Sequence, residues 1–134
     1  MISVEDLIDL VRNYNPKTNV ELIEKAYAYG MAMHEGQFRH SGEPYFSHPV
    51  AVAALLTEQR LDDATIITAL LHDTIEDTPL TLEGLREEGF PEAVLTALAL
   101  LTHDKAVPYM AYIAQIKGNP LASAVKQADL AHNM

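Results

Sequence analysis

The sequence LLHDTIED gathers four side chains that can bind a metal or carry a proton. They are His72, Asp73, Glu76 and Asp77. On a helix, residues four positions apart stack in one row, so position 72 would lie over 76 and 73 over 77. Three carboxylates beside one imidazole repel one another unless a positive charge lies among them. A divalent ion such as manganese, iron or zinc would fit this cluster, and a carboxylate one turn away could orient or deprotonate an attacking water molecule.

Two other segments carry side chains that could complete such a site. His48 lies at the start of a predicted helix in PYFSHPVAVAALL, and Asp129 lies in a late predicted helix in VKQADLAHNM, with Asn133 one turn further on. The order along the chain is therefore H…HD…D, with all four residues on predicted helices. A second His-Asp pair at 103–104 has no carboxylate one turn later, and we interpret it as a loop feature that binds no metal.

Helical periodicity runs through nearly the whole chain and defines the elements that must position these residues. The alternation typical of strands is absent, and connections have the lengths found between helices. The predicted helices span 3–14, 19–35, 47–60, 62 to 74–77, 81–89, 91–101, 108–117 and 120–134, with Ser3, Asn19, Ser47 and Asp62 as N-caps. The sequence therefore predicts an all-α fold.

One segment, GQFRHSGEPYFS at 36–47, breaks the helical pattern and is predicted to be a loop. It contains two glycines, a proline, three aromatic residues and the adjacent basic residues Arg39 and His40. Binding groups are concentrated in loops that a rigid scaffold holds in place. We therefore expect ligand contacts in this loop.

Composition limits the classes of function. The 134 residues provide material for one domain, 1–134, and the formal charge of −10 repels nucleic acids and anionic membranes. The chain has no cysteine, no apolar run of about 20 residues that could span a bilayer, and an acidic start, MISVEDL, unlike a signal peptide. We expect a cytoplasmic protein whose partner is a small molecule; an anionic one would need local cations or a metal.

Three strings in this order resemble one known family. RHSGEPYFSHPVAVA, ALLHDTIEDT and KQADLAHNM are similar to the hydrolase domain of RelA/SpoT homologues and their small single-domain relatives, within the HD superfamily of metal-dependent phosphohydrolases. The resemblance covers roughly residues 20–134. It implies a helical HD-domain bundle that removes the 3′-pyrophosphate of (p)ppGpp with a bound metal, typically Mn²⁺.

The resemblance also implies roles for individual residues. It implies metal ligation by His48, His72, Asp73 and Asp129, activation and positioning of water by Glu76 and Asp77, and substrate binding by Arg39, His40, Ser41 and Asn133. His40 stands where the family commonly has lysine, which would weaken phosphate contacts at neutral pH. His132 is expected to have a structural role or to support a ligand.

Relatives continue past the HNM string with further helices, so the bundle is expected to lack the family's C-terminal helices. Two alternatives to the (p)ppGpp hydrolase stay open, the first because HD scaffolds accept many phosphorylated compounds and the second because of the expected short C-terminus. One is an HD phosphohydrolase of another nucleotide phosphate, and the other is a module that binds metal and alarmone without turnover. Uncovered apolar surface would also favour self-association, so we expect a homo-oligomer.

Overall fold

The computed structural model describes residues 1–74, 81–102 and 106–132, and most of these residues lie in helices. The described helices are α1 (Val4–Tyr14), α2 (Val20–Met33), α3 (Ser47–Glu58), α4 (Asp63–Leu71), α5 (Leu82–Glu87), α6 (Glu92–Leu101), α7 (Tyr109–Lys117) and α8 (Pro120–His132). Within the described ranges, β-pairing is limited to one isolated bridge between Phe38 and Pro44. The predicted all-α fold is confirmed.

Side-chain caps begin several of these helices at the predicted positions. Ser3 Oγ accepts the amide of Asp6 at 3.1 Å, and Asn19 Oδ1 accepts the amide of Leu22 at 3.1 Å. Asp62 Oδ1 likewise accepts the amide of Thr65 at 3.0 Å. Each cap satisfies an amide that has no partner inside its helix. The predicted caps of α1, α2 and α4 are therefore confirmed.

The start of α3 differs from the prediction, because Ser47 is not its N-cap. The helix begins at Ser47 itself, and the capping position falls on Phe46, which makes no side-chain cap. The preceding turn already occupies the first amides, since Ser47 N donates to Pro44 O at 3.0 Å and His48 N donates to Tyr45 O at 3.1 Å. The chain thus enters α3 through a tight turn, which places His48 in the first helical turn.

The central helix of the structure is α4, which packs against α2, α3, α6 and α8. Every residue from Thr65 to Leu71 is buried. A helix that is apolar on all sides is stable only when neighbours cover it on all sides. The buried Thr68 hydroxyl has a hydrogen-bond partner within the helix, because it donates to Ala64 O at 2.7 Å. The end of α4 is therefore held deep inside the bundle.

A glycine allows α2 to approach the end of α4 closely. A Cβ atom on Gly30 would lie 3.0 Å from the carbonyl oxygen of Leu70 and would collide with the ring of Phe46. The Phe46 ring also makes an edge contact with Tyr27, with centroids 5.1 Å apart. This close packing fixes the entry to α3 and the exit from α4, which are the two places where the candidate site begins.

Candidate metal centre

The four predicted ligands come from three separate segments. His48 lies in the first turn of α3, and Asp129 lies near the end of α8. His72 and Asp73 lie in the turn that directly follows α4. The prediction that this pair lies inside a helix is therefore wrong. Two side chains beyond α4 contact carbonyl oxygens in its last turn. His72 Nδ1 lies 2.6 Å from Ala69 O, and the Thr74 hydroxyl donates to Leu71 O at 2.7 Å.

The structure brings these four side chains together. Nε2 of His48 lies 2.5 Å from Asp129 Oδ1, and Nε2 of His72 lies 3.3 Å from the same oxygen. His72 Nε2 also lies 3.4 Å from Asp73 Oδ2. One ligand atom from each of His48, His72 and Asp73 falls within 4.8 Å of the others. Residues more than 80 positions apart thus meet around one point.

The electrostatics of this cluster favour a positive charge at its centre. Burial alone would lower the pKa of His72, but the charges of Asp73 and Asp129 outweigh it and raise the pKa to about 9. Burial would raise the pKa of Asp129, but hydrogen bonds from His48 and His72 hold it well below its usual range. A proton is therefore held among these groups, and a divalent cation could take its place.

The outer nitrogens of both imidazoles have partners that orient the rings. His72 Nδ1 faces the carbonyl of Ala69, so it carries the proton and its Nε2 faces the cluster. His48 Nδ1 lies 2.6 Å from Nδ1 of His132, and the two rings stack with centroids 4.8 Å apart. Burial, together with the charges of His48 and Arg39, lowers the pKa of His132, which favours the neutral ring as an acceptor. His132 therefore supports a predicted ligand.

Lys126 is a member of the cluster that the sequence analysis missed. Its Nζ lies 3.7 Å from Asp129 Oδ2, the oxygen opposite the one that faces the histidines. The same ammonium lies 5.5 Å from the centroid of the Tyr112 ring. The i, i+3 spacing of Lys126 and Asp129 in KQAD was the signal that could have revealed this contact. Lys126 holds one carboxylate oxygen and leaves the other facing the cluster.

A cleft of about 670 Å³ opens onto the cluster. Its walls are formed by Phe38, Arg39, His40, Ser41, Glu43, Tyr45, His48, Asp73, Asp129 and His132. Three of the four predicted substrate-binding residues thus share a cavity with three of the predicted ligands, His48, Asp73 and Asp129. The sequence analysis did not single out Phe38, Glu43 or Tyr45, although their places beside Arg39 in the same loop could have indicated them.

The rim of this cleft is a short, tightly bonded loop. Arg39 N donates to Glu43 O and Gly42 N donates to Arg39 O, each at 2.8 Å. Gly42 has a φ of 91°, a left-handed conformation that glycine adopts without strain. Tyr45 N closes the loop with a 2.8 Å hydrogen bond to Gln37 O. The backbone of the rim is fixed while its side chains face the open cavity.

Several residues named by the sequence lie outside the described ranges. They are Glu76, Asp77, Asn133 and the second His-Asp pair at 103–104. Their predicted roles stay predictions. Within the described ranges, no helix is both long enough and apolar enough to cross a membrane. The expected cytoplasmic location and self-association also stay predictions.

The chain is similar to known proteins over most of its length. A family model described as "HD domain" matches residues 26–129. The chain is 50% identical over 92 residues to the GTP pyrophosphokinase rsh of Brucella melitensis, covering 69% of this chain and 12% of that protein. It is 46% identical over 87 residues to the bifunctional (p)ppGpp synthase/hydrolase SpoT of Escherichia coli, covering 65% of this chain and 12% of that protein.

A third relative aligns with almost the whole chain. The probable GTP pyrophosphokinase of Mycobacterium leprae is 35% identical over 139 aligned positions, covering 98% of this chain and 18% of that protein. The chain therefore spans between about an eighth and a fifth of the length of these curated relatives.

One solved structure, described as a metazoan ortholog of SpoT that hydrolyzes ppGpp, has a similar fold. It superposes with a TM-score of 0.71 at 25% sequence identity. The match covers 82% of this chain and 66% of that chain. The helical fold of this chain is thus similar to that of this SpoT ortholog.

Proposed function

This chain belongs to the HD domain family, and from that premise we propose that it is a metal-dependent hydrolase of the 3′-pyrophosphate of (p)ppGpp. The products are GDP or GTP and pyrophosphate. The printed names of the relatives, a (p)ppGpp synthase/hydrolase and a SpoT ortholog that hydrolyzes ppGpp, support this substrate. The proposal concerns the domain 1–134, since the relatives are much longer.

One observation carries the proposal. Two imidazoles and two carboxylates from three segments meet in one cluster, which forms the floor of a cleft. Three of them, His48, Asp73 and Asp129, line that cleft, and its rim carries Arg39, His40 and Ser41. The floor offers the nitrogen and oxygen ligands of a divalent cation. The rim offers the donors that a phosphorylated ligand needs in a protein of net charge −10. Metal site and anion site thus face the same cavity.

The donor set fits a divalent metal. We propose that His48, His72, Asp73 and Asp129 hold it, with Mn²⁺ as the ion. The cluster already retains a proton, as the raised pKa of His72 indicates, so a cation fits its charge. The Ala69 carbonyl contacts Nδ1 of His72, and the His132 ring contacts Nδ1 of His48. The Nε2 atoms of both histidines are therefore left for the ion. When bound, the metal polarises a phosphoryl oxygen and acidifies water.

The protein's own residues supply binding and proton transfer. The Arg39 guanidinium can pair with phosphate or lie flat against the purine, while His40 and Ser41 donate to phosphate oxygens. Asn133 is assigned to the ribose, and Glu76 and Asp77 are assigned to orient the water and accept its proton. The water oxygen bonds to the phosphorus that is attached to the ribose 3′ oxygen. The bond between that phosphorus and the 3′ oxygen breaks, and the 3′ oxygen leaves with a proton as a hydroxyl.

Incubation of the Mn²⁺-loaded chain with ppGpp tests the proposal. We expect GDP and pyrophosphate in equal amounts. The double variant His72→Ala, Asp73→Ala is the control, because it removes two ligands from the turn after α4. Turnover no greater than that of the control would reject hydrolysis of ppGpp by this chain.

A second assay separates the two alternatives that the sequence left open. A panel of nucleotides without a 3′ pyrophosphate identifies an HD phosphohydrolase of another substrate if those compounds are preferred. Calorimetry with ppGpp identifies a binding module if affinity is measurable while turnover is absent. The open cleft and the exposed side chains of His40 and Ser41 make this panel necessary, since little of the rim encloses a ligand.

A further inference from the structure

The hydroxyl of Tyr45 reaches the metal-binding cluster from the rim loop. It donates a 2.9 Å hydrogen bond to Asp73 Oδ2, the same oxygen that lies 3.4 Å from His72 Nε2. Asp73 is the second residue after the end of α4, so it needs contacts from outside that helix to fix its side chain. A carboxylate oxygen can accept more than one contact, so this hydrogen bond leaves room for a cation at Oδ2.

The ring of Tyr45 is flanked by a buried histidine. The centroids of the Tyr45 and His34 rings are 4.9 Å apart, with an angle of 39° between their planes. His34 is only 2% exposed, and within the described part of the chain its Nε2 is buried without a hydrogen-bond partner. A buried polar atom without a partner is unfavourable for folding. The His34 imidazole packs as a flat ring against the ring of Tyr45.

Gln37 joins the two aromatic residues. Its side-chain Oε1 lies 2.9 Å from His34 Nδ1, and its backbone carbonyl accepts the amide of Tyr45 at 2.8 Å. One residue therefore fixes both the supporting ring and the backbone of the tyrosine. The three contacts lead from the end of α2, through the rim loop, to the carboxylate of Asp73.

We propose that Tyr45 is a positioning residue for Asp73, supported by His34, and that it fixes the metal-binding rotamer of that carboxylate. The inference rests on the proposed function, since it assumes that Asp73 binds the ion. Without the hydroxyl, Asp73 would be free to rotate away from His72, and each binding event would have to reorder it. Outer hydrogen-bond partners of metal ligands typically change metal affinity by about 10- to 100-fold.

The test compares Tyr45→Phe with Tyr14→Phe, using Mn²⁺ alone as the probe. Both substitutions remove one hydroxyl, but the Tyr14 hydroxyl donates to Leu61 O at 2.6 Å and takes no part in the cluster. We expect Tyr45→Phe to weaken Mn²⁺ binding by about tenfold in calorimetry. Tyr14→Phe should stay within about twofold of the parent chain. Equal Mn²⁺ affinities in the parent and Tyr45→Phe would overturn the proposal.

Two variants of His34 test the supporting ring. His34→Ala removes the wall behind Tyr45 and should weaken Mn²⁺ binding. His34→Phe keeps a flat ring, removes the unpartnered nitrogen and should restore most of the affinity. If the phenylalanine variant binds Mn²⁺ as weakly as the alanine variant while remaining folded, ring support is not the role of His34 and that part of the proposal is lost.

These readouts separate this inference from the proposed function. If the parent chain binds Mn²⁺ but leaves ppGpp intact, the substrate assignment fails while the affinity ratio of Tyr45→Phe still decides the role of Tyr45. If the parent chain binds no divalent ion, a crystal structure of the metal-free Tyr45→Phe variant decides. A displaced Asp73 carboxylate supports positioning by Tyr45, and an unmoved one overturns it.

Discussion

The floor and the rim of the cleft present the same residue type in opposite environments. On the floor, His48 and His72 are 3% and 5% exposed, and their ring nitrogens contact Asp129, Ala69 or His132. On the rim, His40 is exposed and lies on a loop outside the helices. A histidine on the floor is fixed in orientation by its neighbours, whereas one on the rim is accessible to a ligand from solvent.

This difference assigns separate tasks to the two regions. Side chains that must keep one geometry lie on packed helices or in the turn directly after one, and α3, α4 and α8 pack against one another. Side chains that must meet a changing ligand project from a loop with a fixed backbone. We therefore expect floor variants to change metal content and rim variants to change nucleotide affinity, with little crossing between the two.

The largest effect is expected from removing a floor histidine. His72→Ala leaves Asp73 and Asp129 without the imidazole between them and removes the nitrogen that we propose as a ligand, so Mn²⁺ affinity should fall by about 100-fold or more. Elemental analysis after dialysis measures this loss. His40→Ala is the matched control, because it deletes the same side chain from the rim. Equal losses of metal in the two variants would break the division between floor and rim.

The second effect is a change of stability with pH in the metal-free protein. Folding raises the pKa of His72 from 6.5 to about 9, so its contribution is fully present below pH 6.5 and is lost as pH rises through 9. This rise in the pKa of His72 corresponds to about 3 kcal/mol in the free energy of unfolding. Denaturant unfolding at pH 6 and pH 9.5 measures it. In His72→Asn, the free energy of unfolding should fall clearly less between pH 6 and pH 9.5. An equal fall in this variant would show that His72 is not the cause.

The sequence was sufficient for the outline of both regions. Capping residues and prolines located the helices, as Ser3, Asn19 and Asp62 illustrate, because these signals act within a few residues. The order of His48, His72, Asp73 and Asp129 indicated a metal site before any contact was known. Local chemistry and the resemblance to a family therefore predicted the residues that meet in the cluster.

The remaining features depend on contacts that no local pattern contains. The pairing of His48 with His132 joins residues 84 positions apart. Tyr45 reached the cluster only because the rim loop folds back across the turn after α4. Tertiary packing decided these features, so the sequence alone did not predict them.

The third effect is expected on the rim. Arg39→Ala removes a planar cation from the cleft wall, and hydrogen bonds to charged groups contribute about 1.5–3 kcal/mol. The KM for ppGpp should therefore rise by about 10- to 100-fold while Mn²⁺ affinity stays unchanged. Steady-state kinetics and calorimetry give the two numbers. Arg12→Ala, an exposed cation on α1, serves as the control, and a parallel loss of Mn²⁺ affinity in Arg39→Ala would contradict the division.

The smallest effect is expected from His40→Lys, which exchanges an exposed imidazole for an ammonium. A lysine keeps its positive charge throughout the neutral range, whereas histidine is the side chain that commonly loses its charge there. An exposed ion pair contributes at most about 1 kcal/mol, so the KM for ppGpp should fall by only about two- to fivefold at pH 7.5 and low salt. This gain should shrink as salt is added, because the rim is open to solvent. If the lower KM persists at high salt, position 40 is shielded from solvent when nucleotide is bound. The rim would then resemble the buried floor more closely than its free structure indicates.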